Sequence, residues 1–159
     1  MAEADLETVN QIADKIHTGL PERPEIFADK LAHCPEGCLT LELNGEIVGY
    51  GFSHPWLLNE IPPLDTFLGV LPKNPSCVYV HDVVVLPSKR GYGSAGQYID
   101  VMKTLAKRLS ISALALVSVY DTHPMWGKYG FKVVASTALA QKLKSYGDTA
   151  RYMVSDFSR

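Results

Sequence analysis

The segment Cys77 to Tyr120 constrains the fold most. It opens with a run of strand formers, "CVYVHDVVVL" (77–86), apolar at nearly every position toward its end, as in a strand buried on both faces. Pro87 and a glycine-rich turn follow, then an amphipathic helix over 93–109. Its stripe is Ala95, Tyr98, Ile99, Met102, Leu105, Ala106 and Leu109. A second buried strand, "ISALALVSVY" (111–120), closes the unit. Strand, helix and strand at this spacing predict a parallel pair joined by a right-handed crossover.

The flanks complete an α/β pattern. Residues 3–19 carry Leu6, Val9, Ile12, Ala13 and Ile16 at helical spacing, with Gly19 as a stop. A second helix is expected over 24–33. "CLTLELNGEIVGYGFS" reads as a hairpin around Asn44-Gly45. The stretch 54–75 is dense in proline and large apolar residues, which predicts a packed excursion with one short helix rather than a disordered loop. A short helix at 122–129 and strands at 131–136 and 149–157 follow. The expected architecture is a mixed sheet flanked by helices on both faces, and 159 residues suggest one domain.

Bulk properties narrow the partners. A net charge of −2 gives no whole-molecule attraction to nucleic acid. No run approaches the roughly 18 apolar residues of a membrane span. The acidic start "MAEADLETVN" is not a signal sequence. Three cysteines, Cys34, Cys38 and Cys77, favour reduced thiols and a cytosolic setting. Cys34 and Cys38 stand beside His33, but no second ligand pair follows, so no metal site is expected.

The join between strand and helix carries the chemistry. The first amides of a helix lack internal partners and the helix dipole adds partial positive charge there. Gly91 and Gly93 remove bulk, while Lys89 and Arg90 add cations. Together they form a candidate pyrophosphate cradle; the bland alternative is an ordinary helix start with two solvated basic residues. No Gly-Lys-Ser/Thr follows, which excludes a Walker A loop. Gly96 completes a G-x-G-x-x-G spacing, but the acidic residue that a dinucleotide fingerprint needs about 20 residues on is missing, and Asp121 stands about 30 on.

"VVVLPSKRGYGSA" resembles the acetyl-CoA motif of the GCN5-related N-acetyltransferases, Arg/Gln-x-x-Gly-x-Gly/Ala after a strand ending in proline. Met125-Trp126-Gly127-Lys128-Tyr129-Gly130-Phe131 resembles a second segment of that family, Phe-Tyr-x-Lys-x-Gly-Phe. The resemblance spans residues 3 to about 157 and implies that family's acyl-CoA N-acyltransferase fold. It further implies acetyl-CoA as donor. The amides of Gly91, Tyr92, Gly93, Ser94 and Ala95 would hold its pyrophosphate beside Lys89, Arg90 and Trp126. The backbone of Val83, Val84 and Val85 would pair with the pantetheine arm where the parallel strands splay beyond Val85.

Two departures stand out. Trp126 replaces the tyrosine that often serves as general acid, leaving Tyr129 or Tyr120 as candidates. The family usually opens with a strand before its first helix, and that strand is expected either to be missing here or to lie outside this chain.

Direct attack on a thioester requires a neutral amine, so a base is needed. His81 is the candidate, in the pantetheine strand; histidine is the side chain that ordinarily changes charge near neutral pH. Alternation places Tyr79, His81, Val83 and Val85 on one face and Asp82 and Val84 on the other, which leaves Asp82 a weak candidate. His54, Trp56, Tyr79 and Tyr120 are candidates for acceptor contact, with His54 otherwise a packed loop residue. His123 reads as a cap or surface residue. The expected reaction is acetyl transfer to the primary amine of a small molecule in a ternary complex. A protein amine, a non-catalytic acyl-CoA sensor and a nucleotide-binding domain are the alternatives. No nucleic-acid or membrane partner is expected, and a homodimer is left open.

Overall fold

The computed structural model describes residues 1–158. After a single 3-10 turn come α1 (Leu6–Ile16) and α2 (Pro24–His33), then β1 (Leu39–Leu43), β2 (Glu46–Trp56) and β3 (Cys77–Val85). The chain continues through α3 (Ser94–Arg108), β4 (Ala113–Ser118), α4 (His123–Gly127), β5 (Lys132–Val133), α5 (Thr137–Leu143) and β6 (Arg151–Asp156). The six strands form one mixed sheet in the order β1-β2-β3-β4-β6-β5. Among the described residues only β3 and β4 run parallel, joined by the crossover through α3.

Local chemistry explains the boundaries. Asn44 and Gly45 both take positive φ (53° and 81°), the turn a two-residue hairpin needs, and β1 pairs back onto β2. Pro124 sits in the first turn of α4, where its missing N–H costs nothing. Three expectations are corrected. The excursion starts at Leu57 rather than at His54, because Pro55 and Trp56 still pair with Val78 and Cys77. β1 ends opposite Gly51, so one side of β2 is unpaired there and tolerates a proline. The excursion holds no helix. The strand expected over 131–136 shrinks to two residues, because Ser136 accepts from the Leu139 amide and starts α5.

The core lies on both sheet faces. On one, Val78, Val80, Leu114 and Leu116 pack against Tyr98, Ile99 and Met102 of α3 and Trp126 of α4. On the other, Val9 and Ile12 of α1 and Phe27 and Leu31 of α2 meet Tyr50, Phe52 and Val84. Tyr79, Tyr152, Leu139 and Ile61 extend that second face under α5 and the excursion.

Tyr98 ties α3 to the sheet. Its buried hydroxyl donates to the Gly37 carbonyl and bonds Ser53 Oγ, both at 2.7 Å. Gly51 makes room for the ring, since a Cβ there would lie 2.3 Å from Tyr98 Cε2. Tyr98→Phe would leave two buried groups without this partner and should cost about 1–3 kcal/mol. Urea unfolding should show a lower midpoint at unchanged m-value; an unchanged midpoint would refute this role.

Candidate active site

β3 changes partners midway, and the site is built on that change. Opposite β2, Phe52 pairs with Asp82 but Ser53 pairs with Val80, so His81 is an extra residue in a β-bulge. Before the bulge Val78 and Val80 face α3; after it Val83 does, while Val84 packs with α1 and α2. The alternation expected from the sequence therefore fails at this point. His81 and Asp82 both project toward α1 and the α1–α2 loop, where each meets a partner.

The same residue marks where the parallel pair separates. β3 pairs β4 only over Val78–Val80, opposite Leu114–Leu116. The splay thus begins after Val80, earlier than the expected point beyond Val85, because the bulge turns β3 away while β4 runs on along β6 to Ser118. From His81 to Val85, the β4 side of β3 has no ladder partner among the described residues.

A cavity of about 660 Å³ occupies the opening. Its outer end is lined by Val83, Val84, Val85, Lys89, Arg90, Gly91, Gly93, Ser94 and Ala95, with Trp126 and Tyr129 on the far wall. Tyr92 does not line it and is 76% exposed. Gly91 and Gly93 take φ of 94° and 75°, a region that favours glycine, and an added Cβ at either would meet nothing within 4 Å. Gly93 caps the 15-residue α3 with no side-chain cap bond, so the first amides of the helix remain open. Arg90 Nε donates to the Val85 carbonyl at 2.9 Å, pinning the turn to the end of the strand. Trp126 is buried in the α3 core. Tyr129 rests on α3, where a Cβ at Gly96 would lie 2.8 Å from its ring.

Two histidine–carboxylate pairs form the inner end. His81 Nε2 lies 2.6 Å from Glu22 Oε1, and both side chains are almost wholly buried. Burial alone would raise the Glu22 carboxyl. His81, Lys30 and the Asp65 amide more than offset it and hold it at about 2. An ionised Glu22 accepts, so Nε2 keeps its proton, and it is the Nδ1 position that gains or loses one. That buried Nδ1 has no hydrogen-bond partner among the described residues.

In the second pair, His17 Nε2 is 3.0 Å from both Asp82 oxygens, and Tyr50 donates to Asp82 at 2.7 Å. His17 Nδ1 bonds the Tyr120 hydroxyl at 3.1 Å. Burial pulls His17 down, but the bond to Asp82 and the charges of Asp82 and Glu22 leave it above its ordinary value.

Of the acceptor-contact candidates, only Tyr120 lines the cavity. His54 is wholly buried between Trp56 and Tyr79, and burial together with the charge of His81 pushes it down to about 3. Tyr79 is buried beneath α5 and the excursion. Because β2 keeps its strict alternation, these rings stack behind His81 instead of facing the opening. His17 and Glu22 went unread in the sequence. Their partners lie 65 and 59 residues away, and no local pattern joins them.

The acetyltransferase (GNAT) family model matches residues 6–131, most of the chain. The chain belongs to that family. A search of curated proteins finds no significant match. Among solved structures, a GphF GNAT-like decarboxylase in complex with isobutyryl-CoA superposes with a TM-score of 0.76 at 13% identity, covering 99% of this chain and 97% of that one. A chain of the NatC complex bound to Gag peptide and CoA gives 0.73 at 12% identity, covering 99% and 93%. N-acetylglutamate synthase from Neisseria gonorrhoeae, complexed with coenzyme A and N-acetyl-glutamate, gives 0.72 at 15%, covering 99% of this chain and 34% of that one. At such identities the likeness shows a shared fold. Family membership makes this an acyltransferase-class protein with acetyl-CoA as donor. The open glycine turn and the unpaired β3 backbone fit that donor.

The His17–Asp82 pair gives a signed expectation. A histidine raised in the folded state contributes stability below its unfolded pKa of 6.5, and this is lost as pH rises through the folded value. Asp82→Asn should therefore destabilise more at about pH 6 than at about pH 9. His17 should titrate lower in the variant by NMR. A penalty independent of pH, or an unmoved His17, would contradict the pairing.

Proposed function

We propose that this protein transfers an acetyl group from acetyl-CoA to the primary amine of a small molecule, by direct attack in a ternary complex, with His81 as general base. One observation carries the reading. The buried His81 has Glu22 on Nε2 and no partner on Nδ1, and it lines the same cavity as the unpaired backbone of Val83 to Val85. Glu22 here plays the orienting part of a carboxylate in a catalytic triad, fixing tautomer and ring position.

Bound acetyl-CoA supplies an activated thioester carbonyl. The backbone groups of Val83–Val85 that face away from β2, apart from the Val85 carbonyl held by Arg90, would take its pantetheine arm as an added strand. The amides of residues 91–95, with Lys89 and Arg90, take the pyrophosphate. The acceptor ammonium gives one proton to His81 Nδ1; the neutral amine forms the C–N bond as the C–S bond breaks, and the nitrogen's second proton replaces the one a phenol gives to the departing sulfur. The indole of Trp126 has no proton to give a departing thiolate and serves as a wall. Tyr129 and Tyr120 both line the cavity, and protonation of the sulfur falls to one of these phenols. Trp126 is also what favours the second reading, a non-catalytic acyl-CoA sensor; turnover decides between them.

Gly93→Glu would set a carboxylate against the pyrophosphate. It should weaken CoA binding about 100-fold beyond Gly93→Ala, which shares its backbone strain. Equal affinities by calorimetry would remove the turn from the donor site. His81→Ala should lower kcat about 100-fold or more with CoA affinity unchanged. An unaltered pH–rate profile would dismiss His81 as the base.

A further inference from the structure

We propose that the acceptor is an amine with an apolar body and no carboxylate, a proposal that rests on the acetyl-transfer reading of the same cavity. Charge placement carries it. Lys89 and Arg90, the lysine and arginine lining the cavity, both stand at the glycine turn of the outer end. The inner end presents two carboxylates, Glu22 and Asp82, and its basic groups are two imidazoles.

Both imidazoles are already paired with a carboxylate. His17 has both ring nitrogens engaged, one by Asp82 and one by Tyr120. His81 gives Nε2 to Glu22 and keeps Nδ1 for the acceptor's proton. Two further cations nearby do not line the cavity. Arg23 is exposed and grips Asp65 through Nε at 2.9 Å and through a second bond to the Asp65 carbonyl. Lys30 is fully buried behind Glu22.

An acceptor carboxylate would therefore be desolvated beside two carboxylates, with no lysine or arginine of the inner wall to receive it, which is costly. An ammonium meets the opposite situation. The remaining inner wall is apolar: Ile16, Leu20, Leu64, Val117, Val119 and Tyr146. It suits a hydrocarbon or aromatic body and offers few groups to bond a peptide backbone.

Calorimetry with three probes tests this on the protein saturated with CoA: phenethylamine, L-phenylalanine and L-phenylalaninamide. Phenylalanine and its amide differ in charge at nearly constant shape. Phenethylamine and the amide should bind, and phenylalanine should bind about 100-fold more weakly than its amide. Leu20→Arg, which adds a cation to the inner wall, should shrink that gap to about tenfold or less. Phenylalanine binding as well as its amide, or none of the three binding, would overturn the proposal. The same titrations on the free protein read the preference without the donor. Acceptor binding without thiol release from acetyl-CoA would instead sink the transfer reading and leave this one standing.

Discussion

The site depends on one extra residue in β3. His81 has no counterpart in β2, and its insertion between Val80 and Asp82 does two things. It brings two successive polar side chains to one face, and it ends the pairing with β4 after three residues. A regular strand would have buried either His81 or Asp82 against α3 and closed the sheet over the cavity. Free N–H and C=O groups in a sheet interior are normally too expensive to keep. Their persistence on the β4 side after Val80, up to the Val85 carbonyl that Arg90 holds, is what makes a cofactor arm a fitting partner for this strand.

Glu22 converts the bulge into a defined site. Through Oε1 it holds His81, and through Oε2 it accepts the Asp65 amide at 3.0 Å. His81, the α1–α2 loop and the excursion over the inner end are thus tied to one carboxylate. Arg23 grips Asp65 from the same loop, and Asp29 accepts the Leu68 amide at 2.8 Å. At the other side of the excursion, Tyr146 donates to the Pro62 carbonyl and Tyr152 accepts from the Asn59 amide. A proline-rich segment with little secondary structure is thereby held in one place. Charges this deep are costly unless paired, and here each carboxylate of the inner end faces a histidine.

Much of the fold was legible because it is written in local periodicity. The stripe from Ala95 to Leu109, the apolar runs around Val83 and Leu114, and Asn44-Gly45 each encode an element within a few residues. The glycine-turn end of the cavity was legible for the same reason, since glycine, proline and basic residues follow one another directly. α5 was missed because seven residues capped by Ser136 give too few turns to show a period. The inner end was misread where strict alternation was assumed through His81. A bulge is set by the pairing strand, not by the residues that form it. His17 and Glu22 were invisible because burial and a distant partner, rather than neighbours, give them their character.

The central claim is that the opening between β3 and β4 is an acetyl-transfer site. It is tested most directly by titrating acetyl-CoA calorimetrically and following thiol release in the same preparation, with and without phenethylamine. Saturable binding and thiol release that requires the amine are expected. Binding with no amine-dependent release would contradict catalysis and leave a sensor. No binding at all would mean that the glycine turn after Val85 is only the start of a helix.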